Sequence, residues 1–108
     1  MEQYKTIQNA QTIIADGDYI ITNTIDTLVL SISGTSTSFT INFTASLDGV
    51  NYGLFEGNKL GNSSILANTT STIGELWEFD VSGVNYFKAK LTAIANGNIT
   101  AIGNGLNS

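Results

Sequence analysis

Several residue types that carry much of protein chemistry are missing or scarce in this chain. It has no cysteine, so neither a disulfide staple nor thiolate chemistry is available and the core holds the fold alone. It has no histidine, which removes the commonest general base and the commonest neutral metal ligand. Arginine is also absent, and 4 lysines face 9 acidic residues for a net charge of −5. That balance argues against a nucleic-acid partner, because phosphate contacts need a basic face. Proline is absent from all 108 residues, where average usage would give about five. Natural sheets often blunt their edges with Pro, Lys or bulges. With Pro gone and Lys scarce, covering edges against identical neighbours is one remaining route, a first hint of self-association. No apolar run approaches the ~20 residues of a membrane helix. The start, Met1-Glu2-Gln3-Tyr4-Lys5, has no basic segment leading into an apolar stretch, so no signal peptide is expected and synthesis in a cytoplasm is.

What remains is neutral, short and polar. Ser, Thr and Asn number 10, 14 and 12, a third of the chain, while charged residues make up 12%. Isoleucine, with 13 copies, is the commonest apolar residue. Short polar and β-branched side chains suit strands and turns better than helices, so an all-β domain follows.

The alternation of apolar and polar residues locates the strands. Lys5 to Ile14 fits either a helical face (Tyr4, Ile7, Ala10, Ile14) or a strand, and the β character of everything after it favours the strand. Asp16-Gly17-Asp18 is a turn, followed by a strand at Tyr19–Thr22. Thr27 to Ser33 puts Leu28, Leu30 and Ile32 on one face. Gly34 to Thr37 then reads as a hairpin turn into Phe39, Ile41, Phe43 and Ala45. A short strand is expected at Val50–Phe55, and 56–74 reads as a long connection with one short strand. Trp77, Phe79 and Val81 share a face, as do Phe87, Ala89, Leu91 and Ala93. Asn96-Gly97 is the strongest two-residue hairpin signal in the chain and leads to a last strand at Asn98–Ile102. Seven or eight short strands with regular turn signals describe a single antiparallel β-sandwich of jelly-roll or immunoglobulin-like type. It spans residues 1–108, with 1–5 and 104–108 expected as frayed tails.

Few residues offer chemistry. Asp16 and Asp18 could flank a cation, yet two carboxylates fall short of the six to eight oxygens calcium takes, and an acidic turn is the simpler account. Glu78 and Asp80, with Glu75 nearby, share a strand face roughly 6–7 Å apart, a spacing open to acid–base glycoside chemistry. If their strand pairs with that of Lys88 and Lys90, cross-strand ion pairs explain them more simply. No catalytic residue, metal ligand or cofactor site is therefore assigned. Four Asn-x-Ser/Thr matches, at Asn42, Asn62, Asn68 and Asn98, are what chance gives in so Asn-rich a chain. Among the aromatics Trp77 and Phe87 fall in phase with the core. Tyr52 and Tyr86 are left as the candidate contacts for a ligand or a neighbouring subunit.

The runs Thr27-Leu28-Val29-Leu30-Ser31-Ile32-Ser33-Gly34-Thr35, Ser46-Leu47-Asp48-Gly49-Val50-Asn51-Tyr52 and Trp77-Glu78-Phe79-Asp80-Val81-Ser82-Gly83-Val84 carry a resemblance. So do Phe87-Lys88-Ala89-Lys90-Leu91-Thr92 and Gly97-Asn98-Ile99-Thr100. In this order, over roughly residues 7 to 103, they resemble small β-sandwich proteins encoded by phages and prophages of Gram-positive bacteria. These are the XepA/YomS type, found near lysis cassettes, and related virion or tail modules. The resemblance implies a sandwich that assembles with copies of itself into rings or discs, pentamers being the expected size. It supplies no catalytic residue. The expected function is a non-enzymatic structural or assembly module, made in the bacterial host cytoplasm and carried in the virion. The alternatives are a lysis-associated accessory acting on the host envelope and a carbohydrate- or receptor-binding module. The expected partners are copies of itself, other phage proteins or the envelope, and no nucleic acid.

Overall fold

The computed structural model describes residues 2–60, 64–66, 68–70 and 74–106. Its six long strands are β1 (Glu2–Gln11), β3 (Thr27–Gly34), β4 (Ser38–Ser46), β9 (Glu75–Asp80), β10 (Tyr86–Ala95) and β11 (Ile99–Leu106). Five pieces of two or three residues complete the set: β2 (Ile20–Ile21), β5 (Gly53–Leu54), β6 (Gly57–Lys59), β7 (Ser64–Leu66) and β8 (Asn68–Thr70). All pairings are antiparallel. One sheet, A, runs β1-β11-β3-β9-β6-β7; the other, B, runs β2-β10-β4-β5, with β8 also on β4. This is the antiparallel β-sandwich that the composition and alternation imply. Among the described residues no helix is long and apolar enough to cross a membrane.

The core lies between the sheets. From sheet A come Leu28, Leu30, Ile32, Trp77, Phe79, Ile99 and Ala101; from sheet B come Phe39, Ile41, Phe43, Phe87, Ala89 and Leu91, all essentially without exposure. Phe43 sits at its centre, 4.8 Å from the Trp77 ring and 4.9 Å from Phe79, while Phe79 lies 4.7 Å from Phe87. Tilted and edge-on contacts of this kind add to the burial of large rings. Trp77 and Phe87 are thus core residues and have no face to offer a ligand.

The two expected hairpins are not hairpins. β3 lies in sheet A and β4 in sheet B, and the same holds for β11 and β10. Both links are arches that carry the chain from one sheet to the other. Period-two alternation reports which residues face the core, and it reads identically whether two strands lie side by side or stack face to face. The Asn-Gly turn chemistry is nevertheless used, since Asn96 (φ 60°) and Gly97 (φ 76°) are both left-handed. The reason is the neighbouring arch. Thr35 N and Ser36 N donate to Asn98 O at 3.0 and 3.1 Å, and Asn98 N donates back to Thr35 Oγ1 at 3.1 Å. A Cβ on Gly97 would stand 2.6 Å from the Thr35 carbonyl carbon. Buried Ser36 closes the assembly, donating toward the carbonyls of Ser38 and Ala95 at 3.0 and 3.1 Å.

Two bulges correct the sequence reading further. The β10–β4 register slips between Leu91 and Ala93. A bulge turns every later side chain over, so Ala93 points outward and Ile94 packs against the core. In β1 the register slips between Thr6 and Gln8, which lets consecutive Ile7 and Gln8 both be buried. This slip is also why the segment had a mixed helical and strand signature. Gln8 Nε2 donates to Ala15 O at 3.0 Å and Ala89 O at 2.9 Å. The strand stops at Gln11, short of Ile13 and Ile14. Its ladder with β11 starts at Glu2↔Leu106, so pairing reaches into both terminal segments expected to fray. Within 56–74 there are three short strands instead of one, each too brief for alternation to show; 61–63, 67 and 71–73 lie outside the described residues.

Edges are managed by brevity, a substitute for proline. Four of the five edge strands among the described residues, β2, β5, β7 and β8, have two or three residues. The fifth, β1, is partly covered where Asp18 N donates to Ile7 O at 2.9 Å.

Candidate functional site: a tyrosine–lysine face

The outer face of sheet B is built by cross-strand rows. In the first row Tyr86 lies between Ile21 and Ser46; in the second Thr44 lies between Lys88 and Leu54; in the third Lys90 faces Asn42. Directly opposed residues share a face, so inward Phe87, Ala89 and Leu91 force Tyr86, Lys88 and Lys90 outward. Tyr52, just before β5, is half-buried across this surface. The ammonium of Lys88 stands 4.9 Å from its ring centre and that of Lys90 stands 5.5 Å away. Tyr19 meets Tyr86 edge-on at 5.6 Å, and Lys5 lies 4.9 Å from the Tyr19 ring. The two residues singled out in the sequence, Tyr52 and Tyr86, therefore share one face: Tyr52 lies under Lys88, and Tyr86 stands two residues before Lys88 on the same side of β10. Tyr19 and the lysines complete it.

Three of the chain's four lysines gather here, in a molecule of net charge −5. Lys5 is paired with Asp18 at 3.3 Å. Neither Lys88 nor Lys90 forms an ion pair among the described residues, although the charge of Lys88 adds to the lowering of the Asp18 pKa. The Tyr52 hydroxyl is closed off from solvent and has no hydrogen-bond partner there. Burial pushes the Tyr52 phenol pKa up, with neighbouring Tyr86, Tyr19 and Asp48 adding to it.

The turn after β4 frames this face. Ser46 Oγ accepts from Asp48 N and Gly49 N at 3.2 and 2.9 Å. Asp48 Oδ1 accepts from Val50 N and Asn51 N, both at 2.8 Å, and Oδ2 accepts from Asn51 Nδ2 at 2.8 Å. The Asn51 and Val50 amides, then the Asn51 side chain and the Ser46 hydroxyl, hold the Asp48 carboxyl well below the usual carboxylate range. Gly49, at φ 79°, passes 3.2 Å from the Tyr86 ring by its Cβ position. With Asp48 consumed inside the turn, Leu47 and Val50 project outward, 65% and 79% exposed.

The other acidic candidates fall elsewhere. Glu78 and Asp80 lie on the outer face of sheet A, lining with Thr27, Asn58 and Phe79 a cleft of about 250 Å³. Because β9 and β10 belong to different sheets, the expected cross-strand pairs with Lys88 and Lys90 do not form. Asp80 Oδ1 instead accepts from Ser82 N at 3.1 Å. Asp18 is held by Tyr19 N at 2.8 Å and then by Lys5, which together lower its pKa. Among the described residues no group of three or more acidic or other metal-ligating side chains converges.

One buried polar cluster escaped the sequence reading. Glu75 is 5% exposed, its Oε1 accepting from Trp77 Nε1 at 2.9 Å and its Oε2 paired with Lys59 at 3.0 Å. The signal was present: Glu75 stands two residues before Trp77, in the inward phase of β9. It acts on the core, by satisfying the indole N–H and fixing β6 against β9.

Comparison with known proteins agrees with this architecture. The crystal structure of the SPBc2 prophage-derived protein YomS superposes with a TM-score of 0.91 at 22% identity, covering 97% of this chain and 92% of that one. The crystal structure of the PBSX exported protein XepA gives 0.92 at 15% identity, covering 97% of this chain but 37% of XepA. At these identities the likeness is one of fold. No curated protein matches the sequence. The XepA family model matches residues 3–105, nearly the whole chain, and the protein belongs to the XepA family of phage and prophage proteins.

Proposed function

We propose that this chain is a non-enzymatic structural or assembly module of a phage or prophage that works as a homo-oligomer, a ring or disc whose expected size is a pentamer. The observation that carries this reading is apolar exposure toward both ends of the strand order of sheet A. Ile13 and Ile14, beyond β1, are 70% and 63% exposed, and on the other half of the sheet Leu60, after β6, donates its N–H to Leu76 O of β9, the two being 40% and 47% exposed. Two different apolar patches toward the two ends of one sheet suit head-to-tail contacts, which close into rings when the rotation allows. The absence of His, Cys and Arg supports a role without catalysis. Size-exclusion chromatography with light scattering tests it. A mass near five times 11.5 kDa is expected, falling to that of the single chain in Ile13→Asp with Leu60→Asp. A monomeric wild type overturns the reading.

A second reading, an accessory that acts on the host envelope, is favoured by the tyrosine–lysine face. A neutral-sugar platform is not, because Lys88 and Lys90 already occupy the Tyr52 ring.

A further inference from the structure

We propose that the outer face of sheet B is a docking surface for a lipid bilayer with anionic headgroups. This rests on the envelope reading and is independent of self-association. Scattered exposed apolar residues need no explanation, but a contiguous patch does. Here Ile21 (46% exposed) lies beside Tyr86, Leu54 (71%) stands in the row of Lys88, and Leu47 and Val50 project from the turn that follows Ser46.

Interleaved with them are Lys88 and Lys90, neither of which forms an ion pair among the described residues. Lysine stems are apolar and their ammonium groups reach outward, so apolar side chains can enter the acyl boundary while Lys88 and Lys90 meet headgroup phosphates. Tyr19 and Tyr86 have rings that suit the headgroup level, apolar in body and polar at the tip, while Tyr52, its hydroxyl closed off from solvent, supports Lys88 and Lys90 from beneath. The acidic groups on this side are both engaged: Asp18 with Lys5, Asp48 within its turn. Lys5, Lys88 and Lys90 against Asp18 and Asp48 leave these groups one positive charge in excess, in a chain of net charge −5, and with the exposed apolar groups beside them this complements an anionic bilayer surface. The turn is braced by Ser46 and Asp48, so the protruding Leu47 and Val50 need little ordering on contact.

The test is flotation of the full chain with vesicles of phosphatidylcholine, alone or mixed with phosphatidylglycerol. Wild type is expected to float with the mixed vesicles and far less with phosphatidylcholine, the difference shrinking as salt rises. Lys88→Gln and Lys90→Gln should each weaken partition about fivefold. Val50→Asp with Leu54→Asp should abolish it. Trp77 emission checks that each variant is folded. Wild type that stays with neither vesicle overturns the proposal. So does a folded Lys88→Gln, Lys90→Gln double variant that floats undiminished, or binding to soluble polyphosphate but to no vesicle. Light scattering on the same samples separates the two ideas: a monomer that floats removes only the ring, and an oligomer that does not float removes only the docking surface.

Discussion

The inner and outer sides of the β4–β10 ladder share one backbone and do opposite work. Inward, Phe39, Ile41 and Phe43 face Phe87, Ala89 and Leu91 with almost no exposure. Outward, Thr44 and Asn42 stand opposite Lys88 and Lys90, with Tyr52 lying across them. On the inside buried polar groups draw on partners, as Glu75 does on Trp77 and Lys59, with Gln8 Oε1 left as an exception among the described residues. On the outside unmatched cations and exposed apolar groups persist. Stability therefore resides on one side of the ladder, and the other side is free to vary with the partner it meets.

Substitutions sharpen that contrast. The largest effect should come from Trp77→Ala, costing about 3–5 kcal/mol by urea unfolding, a large part of a small domain's stability. In the intact protein Trp77 emission should be blue-shifted and move red on unfolding; red emission in the native state would remove it from the core. Glu75→Ala strands the indole N–H and the partly exposed Lys59 ammonium, and should cost about 2–3 kcal/mol. Glu75→Gln keeps an acceptor for Trp77 and should cost clearly less. An equal loss in both variants would mean that the indole bond contributes little. On the outer side Tyr52→Phe removes a hydroxyl that has no partner, so stability should stay level or rise by about 1 kcal/mol. A clear loss would show that the hydroxyl is bonded after all.

The smallest effect is one of pH. The carboxyl of Asp48 titrates below its ordinary value near ~4 because backbone amides donate to its charged form. Its contribution is therefore complete above that value and is lost as pH falls below it. Asp18, lowered by the Tyr19 amide and Lys5, acts in the same direction. The stability gap between wild type and Asp48→Asn should be constant above pH ~4 and narrow below it. Parallel curves down to the acid limit would contradict this.

The sandwich was legible because Leu28, Leu30 and Ile32, and then Phe39, Ile41 and Phe43, alternate without interruption. What alternation could not supply was the neighbour of each strand, so two arches read as hairpins. The bulge after Leu91 was hidden for a related reason: a single extra residue leaves the local pattern apolar on both readings, and only the partner strand reveals the slip. Of the outer face, Tyr52 and Tyr86 were identifiable by elimination, since the core had claimed the other well-phased aromatics. Their meeting on one face depends on β5 lying beside β4, and a two-residue strand has no pattern to announce that.

The place of β11 between β1 and β3 has a kinetic consequence. Sheet A cannot join its first strand to its third until residues 99–106 have been synthesised, because those residues are the strand that bridges them. Without those residues β1 has no neighbour in the sheet and β3 keeps only β9. Such nonlocal closure places folding in the slow range for a domain of this size, about milliseconds to seconds. During that interval β1 has no strand partner and β3 only β9, and both are open to any other copy of β11 nearby.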